Sequence, residues 1–118
     1  MSNQSITLPF RVPDLFAGFA EGKGLAKPGP AELTLELVVK DTVVNVIKSD
    51  VKQISVPRAE IASVSLRRGW FGAKVLIRVK SLSWLADLPG CEGGEVWLYI
   101  ARRDRDLAAA FVKALATA

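Results

Sequence analysis

Short stretches of alternating apolar and polar residues recur from Leu33 onwards, and one amphipathic stretch follows them at the C-terminus. In the first stretch, Leu33 to Lys40, one face carries only apolar side chains: Leu33, Leu35, Leu37 and Val39. Successive side chains of a strand point to opposite faces, so this pattern predicts a strand with one buried face. Repeated along the chain, the pattern predicts a mainly β fold, in which a single helix packs on a bent antiparallel sheet.

Turn-forming residues divide the rest of this region into further strands. Strands are expected over residues 43–48, 51–56, 61–68, 75–79 and 95–101. In the last strand the inward-facing residues are predicted to be Val96, Leu98 and Ile100. The opposite face of that strand then carries Glu95, Trp97 and Tyr99.

The first 32 residues are predicted to form an irregular lead (residues 1–32) outside the regular sheet. Pro9 and Pro13 would restrict any strand there to a sheet edge or a covering strap, because proline has no amide to donate. Two further features are expected in this lead: a plug at one end of the core, formed by Phe16 and Phe19, and a loop rich in glycine and proline over residues 23–30.

The C-terminal stretch, residues 104–118, has the spacing of an amphipathic helix. Asp104 is placed to cap its first turn, and Asp106 lies where the helix dipole favours an acid. One stripe carries the apolar residues Leu107, Ala110, Phe111, Ala114 and Leu115. A single domain over residues 1–118 is therefore expected, in which the strands of residues 33–101 and the helix share one core.

The residue types exclude most catalytic sites. The chain has no histidine, which rules out Ser-His-Asp and Cys-His nucleophile systems and histidine-bound zinc. Its single cysteine, Cys91, has no partner for an internal disulfide and stands beside Glu92, which disfavours a reactive thiolate. The acids are scattered, and neither a phosphate-binding loop nor a dinucleotide fingerprint occurs. We therefore expect a noncatalytic protein with no cofactor and no metal.

Two segments carry a resemblance to a known family. Residues 56–64 read Val-Pro-Arg-Ala-Glu-Ile-Ala-Ser-Val, and residues 95–115 pass from the last strand into the helix. With them, the region 33–118 resembles the pleckstrin-homology-like (PH-like) superfamily, including its bacterial and GRAM-related branches. The resemblance implies a bent, partly open antiparallel β-barrel, or two near-orthogonal sheets, capped by the C-terminal helix. It also implies a module that binds phosphoinositides, peptides or partner domains.

One departure from the phosphoinositide-binding members concerns a loop. Those members carry basic residues in and around the loop between the first two strands. Here the expected loop is Lys40-Asp41-Thr42, with an acid at its centre. The sequence therefore disfavours specific inositol-phosphate binding by that route.

Positive charge is concentrated instead around a predicted hairpin whose tip carries Trp70 and Phe71. The candidate surface for an anionic ligand or a membrane comprises Arg67, Arg68, Trp70, Phe71, Lys74 and Arg78. Aromatic side chains ringed by cations suit insertion at an anionic bilayer surface. The alternative, which the sequence favours, is that Trp70 and Phe71 fold over Phe16 and Phe19 as ordinary core cover.

Nucleic-acid binding is disfavoured. The formal net charge is +4 and the pI is about 9.5. However, the lysines are dispersed along the chain, which is typical of solvated surfaces. A single-stranded nucleic acid would have to bind by stacking its nucleobases on Trp70, Phe71 or Trp97 beside arginines.

A second candidate surface combines residues 81–89 with the last strand. Ser83 is placed to cap a short helix that would either cover the core or meet another chain. With the outward aromatics of the last strand, this gives a candidate interaction surface of Trp84, Leu85, Leu88, Trp97 and Tyr99. Such an exposed apolar area exceeds what a small monomer usually carries, which predicts a protein partner or a homo-oligomer.

The sequence thus predicts a noncatalytic PH-like binding module that mediates protein interaction or self-assembly. The alternative is a peripheral membrane module that binds anionic lipid through the basic, aromatic-tipped hairpin. The N-terminal residues 1–5 have no secretory pattern, and no apolar run reaches the ~20 residues of a spanning helix. We therefore expect a cytoplasmic location, membrane-peripheral under the alternative.

Overall fold

The computed structural model describes residues 6–15, 20–41, 51–86, 88 and 93–116. In these ranges the chain forms seven strands and one α-helix: β1 (Leu8–Leu15), β2 (Ala20–Pro28), β3 (Glu32–Asp41), β4 (Lys52–Pro57), β5 (Ile61–Arg68), β6 (Gly72–Val79), β7 (Glu95–Ala101) and α1 (Arg105–Ala116). Short 3-10 turns lie at Arg58–Glu60, Leu82–Leu85 and Arg102–Asp104.

All seven strands belong to one antiparallel sheet with the order β4-β3-β2-β1-β7-β6-β5. The predicted mainly β fold with one C-terminal helix is therefore confirmed. Strands β4 and β5 lie at the two ends of this order, so hydrogen bonding does not close the described sheet into a barrel. An open sheet of this kind bends so that its apolar face lies on the concave side, where it is buried.

The prediction of an irregular lead over residues 1–32 is wrong for residues 8–15 and 20–28, which form β1 and β2. The prediction of a loop over residues 23–30 is wrong as far as Pro28. A Cβ on Gly24 would lie 2.0 Å from the Glu36 carbonyl oxygen and 2.8 Å from Phe10 Cζ. Glycine here therefore permits close packing within the sheet and does not signal a turn.

The prolines of β1 predicted a strand at a sheet edge or a covering strap, and this prediction is wrong. The strand lies between β2 and β7 in the middle of the sheet. Its pairing with β7 is short, with Arg11 opposite Tyr99. Pro9 and Pro13 lie on either side of Arg11 and lack the amides that a longer ladder would use.

The later strands agree better with their predictions. The strands expected over residues 51–56, 61–68, 75–79 and 95–101 correspond to β4, β5, β6 and β7. The expected strand over residues 43–48 and the expected plug of Phe16 and Phe19 lie outside the described residues.

The predicted position of the loop between the first two strands is wrong. Because β3 extends to Asp41, Lys40 and Asp41 belong to the end of the third strand, not to a connection between the first two. Residues 16–19, which connect β1 to β2 in the chain, are Phe-Ala-Gly-Phe and contain no basic residue. The segment between the first two strands therefore lacks basic residues, but it is residues 16–19 and not the predicted residues 40–42.

The core is one cluster of apolar side chains from the inner face of the sheet and from α1. Its largest fully buried members are Phe111, Leu8, Leu33, Leu35, Leu37, Ile77, Leu85, Leu98, Val56, Val75 and Val96. Among the described residues no polar or charged side chain is buried. Burial of apolar area, not internal polar bonding, therefore stabilises the interior.

Helix α1 begins at Arg105, directly after the 3-10 turn that contains Asp104. Phe111, from the predicted stripe, is fully buried, and Ala108 is buried beside it. The other predicted stripe residues are half-buried: Leu107, Ala110, Ala114 and Leu115. The predicted docking face is thus confirmed, with its centre at Ala108 and Phe111.

Arg58 ties the corner between β4 and β5 to two distant parts of the chain. Its Nε donates to the Gly29 carbonyl oxygen at 2.8 Å, and its Nη1 donates to the Ala114 carbonyl oxygen at 3.2 Å. The first bond reaches the turn between β2 and β3, and the second reaches the C-terminal part of α1. A part-buried arginine thus satisfies a carbonyl near the helix end and fixes the helix against the corner.

Replacement of Phe111 tests whether the helix is held by its buried ring. The change Phe111→Ala should lower the free energy of unfolding by about 3–5 kcal/mol, because it removes a large buried ring and leaves a cavity. Urea denaturation followed by circular dichroism measures this loss. The neighbouring change Val112→Ala removes a half-buried side chain and should cost less than about 1.5 kcal/mol. Equal losses in the two variants would contradict the assignment of Phe111 as the central contact.

Candidate anionic-surface site

The turn between β5 and β6 presents two aromatic side chains to solvent. The Gly69 amide donates to the Gly72 carbonyl oxygen at 2.8 Å, which closes the turn. At the tip of this turn, Trp70 is 82% exposed and Phe71 is 91% exposed. The prediction that these rings fold over Phe16 and Phe19 as core cover is therefore wrong. The turn is too short to bring either ring back onto the sheet.

The base of this turn is held against β7 and α1. A Cβ on Gly72 would lie 2.3 Å from the Ile100 carbonyl oxygen, so the two backbones approach closely only because residue 72 is glycine. On the other side, Arg105 Nη1 donates to the Gly69 carbonyl oxygen at 3.0 Å. The exposed tip thus stands on a fixed base.

A solvent-open cleft of about 470 Å³ lies beside the tip. It is lined by Arg11, Arg67, Arg68, Gly69, Trp70, Phe71, Gly72, Ala73, Lys74, Tyr99 and Ile100. Four of these residues are basic, and none is acidic. We call this volume the basic cleft. Its lining favours an anionic occupant on charge alone.

Sheet register explains why bases from distant parts of the chain converge there. Arg67 pairs with Lys74 across β5 and β6, Lys74 pairs with Tyr99 across β6 and β7, and Tyr99 pairs with Arg11 across β7 and β1. Paired residues of antiparallel strands have Cα atoms about 4.5–5.5 Å apart. The four side chains therefore form one row across the outer face of the sheet, the face opposite the core.

Two cations of this row lie against aromatic rings. The Arg67 guanidinium is 5.5 Å from the Trp97 ring centroid, and the Lys74 ammonium is 4.9 Å from the Tyr99 ring centroid. Within the described ranges, neither cation has a carboxylate at ion-pair distance. Cation–π contacts orient these side chains and leave their charge available to a ligand.

The other two bases of the cleft have weak acidic neighbours. Arg11 Nη1 is 3.4 Å from Glu21 Oε2, and Arg68 Nη2 is 3.8 Å from Asp106 Oδ1. Asp106 is fully exposed, and both arginine side chains are about half exposed. Ion pairs of this kind contribute little in water, so either arginine can exchange its carboxylate for another anion.

Further bases follow the last strand, near the base of the hairpin. Arg102 and Arg103 are exposed in the 3-10 turn that follows β7, and the Arg102 backbone nitrogen is 3.6 Å from the Cβ position of Gly72. The Arg103 Nε is 4.0 Å from Asp104 Oδ2. The basic residues near the hairpin therefore include this turn as well as the cleft.

The structure brings together five of the six residues of the predicted anionic-ligand surface and adds one base, Arg11. Arg67, Arg68, Trp70, Phe71 and Lys74 all line the cleft. Arg78 does not, because it lies further along β6, where its Nε is 2.7 Å from Glu95 Oε2. Arg11 was missed because its segment was assigned to an irregular lead. The alternation of buried Phe10 and Val12 around it was the signal that placed Arg11 on an outer face.

The predicted interaction surface does not form one exposed patch. Leu85 and Leu88 are buried in the core. Trp84 is half-buried, and its indole Nε1 donates to Glu60 Oε1 at 3.1 Å. The 3-10 turn begins after Ser81 without a side-chain cap, so the predicted capping role of Ser83 is wrong. This segment covers the core, which was the other interpretation of its pattern.

The remaining two residues of that predicted surface, Trp97 and Tyr99, lie on the outer face as expected. Both are half-buried, and they contact Arg67 and Lys74 as described above. They therefore belong with the row of bases and not with Trp84.

Comparison with family models, with curated proteins and with solved structures gives no match. No helix in the described ranges is long and apolar enough to cross a membrane. In the same ranges, no group of three or more Cys, Asp or Glu side chains is arranged to hold a metal ion. The PH-like resemblance stays a prediction, and function must be argued from the site.

The glycine at the base of the hairpin provides a test of the site's geometry. The change Gly72→Ala should lower the free energy of unfolding by about 1–3 kcal/mol, because its methyl group would press on the Ile100 carbonyl. The change Gly69→Ala places its methyl group 3.6 Å from the nearest atom, an ordinary contact. It should change stability by less than about 0.5 kcal/mol. Urea denaturation of both variants measures the difference, and equal midpoints would show that the close approach at Gly72 is absent.

Proposed function

We propose that this chain is a noncatalytic PH-like module that binds peripherally to anionic membrane surfaces through the β5–β6 hairpin. The observation that carries the proposal is the exposure of Trp70 and Phe71, 82% and 91%, at a tip flanked by basic residues. Two large adjacent aromatic rings left in water are unusual unless they serve as a contact surface.

The energies of the two parts of this surface are complementary. An aromatic side chain offers about 150–250 Å² of surface, so partial insertion at the lipid interface is worth about 2 kcal/mol per ring. Each nearby Lys or Arg adds about 1 kcal/mol of attraction to an anionic leaflet. Neither contribution alone gives firm binding, but Trp70 and Phe71 together with the flanking bases do.

The fold supports the PH-like part of the proposal. The resemblance implied a bent antiparallel sheet capped by a C-terminal helix, and an open antiparallel sheet followed by α1 is compatible with it. Strands β1 and β2 lie before residue 33, outside the region that carried the resemblance. Fold alone does not select a ligand, so the choice of an anionic surface rests on the hairpin and the cleft.

Protein interaction or self-assembly, which the sequence favoured, has less support from the geometry. Leu85 and Leu88 are buried and unavailable to a partner. Trp97 and Tyr99 are half-buried and lie beneath cations. Among the described large apolar side chains, Trp70 and Phe71 are the most exposed, so the tip is also the surface that best suits a protein partner.

Removal of the two tip rings tests the proposal. The double change Trp70→Ala and Phe71→Ala should weaken sedimentation with anionic vesicles by at least about thirtyfold, the equivalent of about 2 kcal/mol. The control Leu82→Ala removes another exposed apolar side chain, 65% exposed, from a different turn and should bind as the parent does. Binding of the parent should fall steeply as salt rises, because the cations are exposed.

Three results would argue against a membrane role. Negligible sedimentation of the parent protein with both anionic and neutral vesicles is one of them. Equal affinity for the two vesicle types would remove the role of the bases. Light scattering that shows a dimer dissociated by the same double change would indicate self-association through the tip instead.

A further inference from the structure

Insertion of the tip uses Trp70 and Phe71 but leaves the basic cleft behind them without a role. The cleft is open to solvent, and its volume of about 470 Å³ lies within the range of small-ligand pockets. A diffuse attraction to an anionic leaflet requires exposed bases and no cavity. The convergence of four bases on one volume indicates that a discrete anionic group occupies it.

We infer that the basic cleft binds a phosphate monoester, carried by a lipid headgroup when the domain is on a membrane. The lipid source rests on the proposed function, whereas the choice of a monoester rests on the cleft itself. A phosphate monoester carries a charge of about −1.5 to −2 near pH 7 and three terminal oxygens that accept hydrogen bonds. A diester headgroup or a carboxylate carries a single negative charge. The larger charge and third acceptor match a site with several separate donors.

The donors come from three strands that border the cleft. Lys74 and Arg11 are on either side of Tyr99 in the cross-strand row, and Arg67 continues the row on β5. Arg68 lies at the start of the turn. Because the Lys74 ammonium lies over the Tyr99 ring, a phosphate bound at this ammonium would have Arg11 on one side and Arg67 on the other. Arginine and lysine donors make charge-assisted hydrogen bonds to phosphate, and these are about twice as strong as neutral ones.

The present neighbours of these bases do not block the site. The contact between Arg11 and Glu21 is 3.4 Å and that between Arg68 and Asp106 is 3.8 Å, and both involve exposed side chains. Trp70, Phe71 and Tyr99 form apolar parts of the lining.

The experiment compares vesicles that carry a phosphomonoester lipid, phosphatidic acid, with vesicles that carry a diester lipid, phosphatidylglycerol, at equal measured zeta potential. The parent protein should bind the monoester vesicles about tenfold more tightly, the equivalent of one additional strong hydrogen-bonded contact. The changes Arg11→Gln and Lys74→Gln should each reduce this preference to about twofold or less. Each should weaken binding to the diester vesicles by no more than the about fivefold loss expected from one charge.

Lys23→Gln is the matched control. Lys23 pairs with Arg11 across β1 and β2, is exposed, and does not line the cleft. Its replacement removes one positive charge beside the cleft, as Arg11→Gln does within it. The control variant should keep the full preference for the monoester vesicles. Loss of the preference in this variant would show that total charge, and not the cleft, distinguishes the two lipids.

A pH series tests whether binding follows the second ionisation of the lipid phosphate, which is not a property of the protein. Histidine is the side chain whose ordinary pKa lies near neutrality, and the chain contains none. The cleft cations are three arginines and one lysine. Binding to the monoester vesicles should therefore strengthen between about pH 5.5 and pH 7, as the phosphate loses its second proton near pH 6. Binding to the diester vesicles should stay constant over the same range.

A soluble arm separates the cleft from the membrane. Glycerol 3-phosphate should shift the Tyr99 ring resonances in NMR spectra of the parent, and Arg11→Gln should abolish the shift. Dimethyl phosphate, a diester, should leave the resonances unchanged at matched ionic strength. Equal binding to the two vesicle types, together with no response to glycerol 3-phosphate, would overturn the inference while leaving the membrane proposal intact. A response to glycerol 3-phosphate without binding to any vesicle would keep the monoester site and exclude the lipid source.

Discussion

The structure depends on burial of a single apolar sheet face. Alternate residues of β3 and β7 are buried, as are Leu8, Phe10 and Val12 of β1, and α1 adds Phe111 and Ala108 to the same cluster. No buried charge or polar side chain contributes in the described residues, so the interior has no competing requirement for internal hydrogen bonds. Strand order, curvature and the position of the helix all follow from the need to remove this one face from water.

The same alternation places the functional residues. When alternate residues of a strand face the core, the residues between them must face outward, and register then aligns them across neighbouring strands. Arg11, Tyr99, Lys74 and Arg67 come from four strands and two distant regions of the chain, yet they form one row. The basic cleft is thus a direct product of the pairing that builds the core. No loop insertion is needed to assemble it.

The sequence predicted the elements whose local patterns agree with their final environment. The alternation of β3 and β7 and the apolar stripe of α1 were read correctly because burial alone determines them. The sequence-based prediction failed for β2, where Gly22 and Gly24 resemble turn residues but permit close packing within the sheet. It also failed for β1, where Pro9 and Pro13 indicated a sheet edge or a strap. Close approach of two backbones is a property of the assembled sheet and has no local signature.

The candidate site shows the same division. The basic residues near Trp70 and Phe71 were predicted because they are adjacent in the chain, whereas Arg11 was missed because only long-range pairing brings it to the cleft. Burial of Leu85 and Leu88 was equally difficult to predict, since an apolar segment looks the same whether it covers a core or meets a partner. The exposure of Trp70 and Phe71 could be established only from the structure.

The hydrogen bond from Arg105 to the Gly69 carbonyl joins the first residue of α1 to the turn that carries the aromatic rings. Docking of the helix and order of the turn are therefore thermodynamically linked: whatever immobilises one also stabilises the other. A form of the protein in which the helix had detached would lose both the seal of its interior and the firm presentation of its contact residues. Under the proposed function, detachment of the helix would therefore weaken surface binding together with the fold.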